Sequence, residues 1–404
     1  MQDKKLVINV SVPIVAVYLL AVTFVLDMRT VWTAMPKYGR FGDLTTLMLV
    51  TGVVTYIFSR RNYKRHFFNG IIVTIALLAY LFIYYWHDEY KLGNFPRVIM
   101  RICLICLLCF AMRDEHKQKL WEIMENIIIV IAIVSMAFWV AGSLLGLIHS
   151  NGVEYTTWSK DGSEVAINKY YHLYFETQVQ NFFGVKVVRN SAIFTESPMS
   201  SFMFCTALLV ELYKKEKPDY RKIVFLIIAV ASTVSTTGYV IVIAAVFGKY
   251  IMSQTHNKIT AIIRMALIPV SLIVLVLIAD RLLQSKLESS SGSARLDDFA
   301  AGFKAWLDHP MMGNGYNNTN SYMQYMSTYR MNNTGFSNSL MQILAFGGLY
   351  LLAPYVGSVG YGVYKIVRKR DWNELAFVLL FVVMFIFTIT SYQMLPLFSL
   401  LSLL

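Results

Sequence analysis

The chain has 404 residues, 56% of them hydrophobic and only 15% charged, with a mean hydropathy of +0.53. That balance excludes a water-soluble globular enzyme and a disordered chain, because most of this sequence has lipid as its solvent. A net charge of +12 would direct a soluble protein to nucleic acid, but here the basic residues gather in alternate short loops, so no nucleic-acid partner is expected.

Membrane-length apolar runs of about 17 to 25 residues set the order of elements. Residues 6–26 form the first crossing, preceded by Lys4 and Lys5 on the cytoplasmic side. No small-residue cleavage site follows, so this run reads as a span and not as a removable leader. Crossings are then expected at 41–59, 67–86, 98–112 and 127–148. The basic loops Arg60–Arg61–Lys64–Arg65 and Arg113–Lys117–Lys119 fall on one face. Cys103, Cys106 and Cys109 lie on one stripe within the fourth run, with no fourth ligand nearby, and read as packing residues.

A polar loop over 149–192 follows, then a crossing at 198–213 and the basic stretch Lys214–Lys222. The apolar run 223–252 is long enough for one crossing, but Ser235, Thr236, Thr237 and Gly238 interrupt it. Two short crossings keep Lys365, Arg368, Lys369 and Arg370 on the basic face, so two are expected. Runs at 264–279, 337–364, 374–390 and after Pro396 complete about eleven or twelve helices. The expected fold is therefore an all-α polytopic membrane protein, one domain over 1–404, with two large loops (149–192 and 280–335) on the outer face. Polar loops cannot lie in hydrocarbon, so the chemistry is sought there.

No GxxxxGK[ST] and no HExxH occurs, and the outer loops carry no Asp-x-Asp pair. No cofactor and no metal site is therefore expected, and any reaction needs a substrate that already carries a good leaving group. Arg189 ends the first loop and Arg295 stands early in a short helix of the second. Two guanidinium groups can grip a diphosphate bidentately; the plainer alternative pairs Arg189 with Glu196 and Arg295 with Asp298. His309 can move a proton near neutral pH, or simply close a helix before Pro310. The Gly313–Asn314–Gly315 turn offers backbone to a ligand or only reverses the chain. Loop aromatics such as Tyr316 suit sugar faces and interfacial belts equally.

Four blocks in order, RNSAIFTESP, STVSTTGYV, SARLDDFAAGFKAWLDHPMMGNGY and FSNSLMQILAFGGLYLL, resemble the O-antigen polymerase and O-antigen ligase superfamily of bacterial surface-polysaccharide synthesis. The resemblance covers residues 189–352. It implies a GT-C-like membrane glycosyltransferase in the bacterial cytoplasmic membrane, with its active site facing the periplasm or exterior. The implied substrate is an undecaprenyl-pyrophosphate-linked oligosaccharide, with a chain-length regulator as a further partner. Arg189 and Arg295 match the family's two outer-face arginines. Glu196 and His309 are the candidate bases, and Thr237, Tyr316, Ser337 and Asn338 the candidate substrate contacts. Ligases tend to carry His-Asn where this chain has Ser337-Asn338, which favours a repeat-unit polymerase. A ligase and a lipid-linked oligosaccharide flippase are the alternatives.

Overall fold

The computed structural model describes residues 11–59, 65–88, 94–157, 164–182, 185–252, 290–330 and 335–404. The crossing expected at 264–279 lies outside them. Apolar runs become helices because a chain in hydrocarbon must satisfy its backbone groups along itself. In order these are α1 (Val12–Leu26), α2 (Phe41–Phe58), α3 (Arg65–His87), α4 (Phe95–Ala111), α5 (Asp114–Phe138), α6 (Ser197–Leu209), α7 (Tyr220–Ser232), α8 (Thr236–Met252), α9 (Ser290–Asp308), α10 (Ser339–Lys369), α11 (Trp372–Ile386) and α12 (Met394–Leu401).

Four helical stretches, Phe41–Phe58, Phe67–His87, Asp114–Leu144 and Ser339–Lys369, are long and apolar enough to cross a membrane, and α1, α8 and α11 are shorter apolar helices. The protein is an all-α polytopic membrane protein. Phe58, Ile72 and Ile75 stay exposed while Leu20, Phe24, Leu208 and Phe398 are fully buried, the division expected when lipid replaces water outside the bundle. Cys106 and Cys109 are buried packing residues of α4.

The run 223–252 is divided, as its polar break requires. α7 ends at Ser232, Val234 turns the chain in the left-handed region (φ 49°), and α8 starts at Thr236. A β-branched residue there is strained by about 1–2 kcal/mol, and the fold holds it by packing α7 and α8 on α6.

The loop over 149–192, read from the sequence only as polar, carries strands. Strands β1 (Gly152–Thr157), β2 (Glu164–Tyr170) and β3 (Tyr174–Glu176) form an antiparallel sheet, and β4 (Val179–Phe182) pairs with β5 (Val185–Val188). The alternation in GVEYTT and EVAINKY is a strand pattern, paired so that Tyr155 faces Ala166. Buried Glu154 fastens the sheet to the α1–α2 connection, accepting from Lys169 at 2.7 Å, Lys37 at 2.8 Å and Tyr38 at 3.0 Å. These bonds outweigh the burial that would raise its pKa and hold the carboxyl at about 2.

Candidate active site

Six helix ends converge on one face: the C-termini of α1, α7 and α11, and the N-termini of α6, α8 and α10. The segment after β5 runs across them. Val31 N–H donates to Ile193 O at 2.9 Å and Thr195 N–H to Arg29 O at 3.1 Å. Asn190 binds the end of α7 through its Nδ2 to Ser232 Oγ at 3.0 Å and its own N–H to Ser232 O at 3.1 Å. Arg189 is thereby fixed on the α7–α8 break, where its Nε donates to Thr233 O at 2.9 Å and its Nη1 to Gln178 Oε1 at 3.2 Å.

Arg295 reaches the same break from α9, its Nη1 donating to Thr237 Oγ1 at 2.5 Å. Arg189 is only 9% exposed. Burial first, and then the neighbouring charge of Arg295, push its pKa down to about 10, with Glu196 and Tyr239 opposing. Burial likewise lowers Arg295, against Asp298 and Glu196. Among the described residues neither guanidinium closes an ion pair. Asp298 is taken by Arg330 at 2.8 Å, and Glu196 lies 3.9 Å from Arg29. Two like charges sharing a poorly solvated pocket with one carboxylate leave it short of negative charge, which is the electrostatic signature of an anion site.

A narrow cavity of about 10 Å³, room for about one water, continues below Arg295 and Thr237 between α6, α8 and α11, lined by Ser201, Cys205, Ile241 and Met384.

The loop that contains α9 holds Arg295 in place. Ala301 and Ala305 of α9 pack on Met341, Leu344 and Ala345 of α10. At the N-terminal part of α9, buried Arg330 donates to Asp298 Oδ1 at 2.8 Å and Ala294 O at 2.7 Å. Asp298 Oδ2 also accepts from the Ser337 amide at 3.0 Å and hydroxyl at 2.7 Å. Burial raises the Asp298 pKa, and Arg330 and Ser337 draw it back.

At the other end of α9, the turn 310–315 plugs a break in α10. Asn314 and Gly315 amides donate to Ala345 O and Phe346 O at 2.9 and 3.0 Å, while Leu349 and Tyr350 amides donate to Pro310 O and Met311 O, both at 2.9 Å. Gly313 has φ +70° and Gly348 φ +56°; a Cβ would stand 2.4 Å from Gly347 N at the first and 2.6 Å from Met311 O at the second. Only glycine permits that approach. The amides that the sequence offered to a ligand are therefore engaged by α10.

The structure brings together Arg189, Arg295, Glu196 and Thr237, and leaves the other expected residues outside that group. His309 follows α9, about 20 Å from Arg295 at 1.5 Å rise per residue, and is exposed. Tyr316 packs into an aromatic wall, 4.5 Å from Phe95 and 5.2 Å from Tyr392, with its amide on Asp88 at 3.0 Å. Asn338 caps α10 by accepting from Met341 N–H at 2.9 Å, and Ser337 serves the Asp298 latch. Sequence reasoning passed over Arg29 and Arg330, whose partners lie far along the chain; the left-handed turn at Arg29 (φ 47°) is equally invisible there.

Residues 223–356 match the family model described as O-antigen ligase. The matched stretch contains the α7–α8 break, Arg295, the 310–315 turn and the start of α10; Arg189 and Glu196 precede it. Comparison with curated proteins and with solved structures gave no match.

Proposed function

We propose that this chain, a member of the O-antigen ligase/polymerase superfamily, is a polysaccharide polymerase that joins lipid-linked oligosaccharide repeat units by inverting glycosyl transfer. The observation that carries the proposal is the pair of guanidinium groups converging on one polar helix break, each lowered in pKa by burial and short of counter-charge. A polyprenyl pyrophosphate supplies the missing charge. The growing chain on its lipid pyrophosphate is the donor, and a sugar hydroxyl of a second lipid-linked unit is the acceptor. The hydroxyl oxygen forms the new bond to the anomeric carbon while the bond from that carbon to pyrophosphate breaks. The acceptor proton passes to Glu196, and Arg189 and Arg295 stabilise the departing diphosphate. The name of the matching family favours a second reading, transfer of the finished chain to a different acceptor. Ser337 at the position of the ligase His supports the polymerase, because its hydroxyl is bonded to Asp298 and supplies no imidazole.

The test is incubation of purified protein with lipid-linked repeat unit. A ladder of products is expected, and it persists in chelator. A single coupled product favours the ligase, and translocation without bond formation favours a flippase. Arg189→Lys and Arg295→Lys should each lower turnover by about 10²–10³ while the protein still inserts, since an ammonium cannot replace a planar fork on a diphosphate. Parental rates in both variants overturn the assignment.

A further inference from the structure

Beyond the arginine pair, the same face carries a second, wider recess between the end of α3 and the end of α9. It has a volume of about 320 Å³, and Tyr84, His87, Asp88, His309, Asn314 and Asn318 line it. We propose that this cleft is a second carbohydrate-binding site, holding uncharged sugar units of the glycan about 20 Å from the arginine pair along α9. The identity of its ligand rests on the glycosyl-transfer reading given above; its existence as a binding site does not.

The lining decides the ligand class. Among the described residues no lysine or arginine lines the cleft, so it offers no fork of cationic donors to a phosphate and does not duplicate the arginine pocket. A lipid tail is disfavoured by amides, imidazoles and a carboxylate, each of which would lose its hydrogen bonds to hydrocarbon. Among the described residues no three His, Cys, Asp or Glu side chains converge to hold a metal. What remains is a wall of imidazole, amide, hydroxyl and carboxylate groups beside Met312, a mixed polar surface suited to a ligand whose hydroxyl groups both donate and accept.

The cleft is also built rather than casual. Asp88 is 5% exposed and Tyr84 1%. Asp88 accepts from Tyr316 N–H at 3.0 Å, and the Tyr84 hydroxyl donates to Phe346 O at 2.6 Å. Asn318 Nδ2 donates to Asn314 O at 2.9 Å, and Asn314 Nδ2 to Ala305 O at 2.6 Å. One wall therefore belongs to α3 and the other to the glycine turn locked into α10. A site preformed in this way keeps its affinity, because little ordering remains to be done on binding.

The experiment uses the full chain in lipid nanodiscs and, as probe, the lipid-free oligosaccharide released by mild acid from the source cells' own surface polysaccharide. Saturation-transfer NMR reads binding without turnover. The parent and the Arg189→Lys/Arg295→Lys double variant should bind alike. Asn318→Trp and His309→Trp, which fill the cleft, should weaken binding about tenfold or more; exposed His309 tolerates the change without repacking. Absence of binding in the parent, or parental binding in both Trp variants, overturns the proposal. Loss confined to the arginine variants also overturns it and places the sugar solely at the first site. Should the arginine variants instead turn over normally while the Trp variants lose binding, the transfer assignment fails and the cleft stands.

Discussion

The reaction proposed above sends the acceptor proton to Glu196 and not to His309. Glu196 precedes the N-terminus of α6, within electrostatic reach of both site arginines, with Arg29 3.9 Å away. Glu196→Gln should therefore lower kcat by about 10²–10⁴, the usual range for losing a general base. His309→Ala should act on KM instead, because the residue is a helix length away and lines the cleft. Steady-state kinetics at saturating lipid-linked substrate separates the two; a kcat loss in His309→Ala matching that of Glu196→Gln would return the imidazole to the reaction. The separation was readable in the sequence, since Arg295 lies near the start of one short helix and His309 just past its end, and the helical rise fixes their distance. The pairing of Arg29 with Glu196 was not. It joins residues 167 positions apart, and nothing local marks Arg29 as different from any basic residue at a helix end.

At the level of elements, α9 behaves as a strut fastened at both ends. The Arg330–Asp298 latch secures one end and the 310–315 turn the other. Replacing Arg330 by Met keeps the volume but leaves a buried carboxylate without its cation, at a cost of about 3–5 kcal/mol. The pH dependence of that cost has a definite sign. Burial already raises the folded-state pKa of Asp298, and removing Arg330 raises it further, so the folded variant holds a proton more tightly than the unfolded chain. Its stability is then greatest below the ordinary carboxylate pKa and declines as pH rises through the raised value. Thermal unfolding in detergent at pH 5 and pH 8 checks this: the deficit against the parent should shrink at pH 5, and an equal deficit at both would remove Asp298 from the explanation. Helix elements were legible because the apolar runs have span length. The strands over 152–188 were equally written in alternating residues but were overshadowed by the loop's polarity, and the α10 break was hidden because Gly347–Gly348 in sequence resembles ordinary close packing of membrane helices.

For the whole molecule, the positive-inside pattern and the geometry agree on which helix ends share a face. Impermeant thiol reagents should label cysteines introduced at Lys304 and Tyr155 from outside the cell, and those at Lys217 and Arg368 only after permeabilisation, in a background lacking the four native cysteines. External labelling at Lys217 would invert the bundle and put the arginine pocket on the wrong leaflet. What no reading of hydropathy could supply is the fixed spacing imposed by the strut. On the proposed transfer reaction and second sugar site, a glycan too short to bridge α9, which is held at each end, touches the molecule at one point and escapes at each turnover. Once the glycan is long enough to reach both ends, the second contact becomes intramolecular, and its effective concentration rises sharply. On that reading retention between additions depends on product length: early additions are expected to be distributive and later ones processive, with the threshold between them set by a rigid helix.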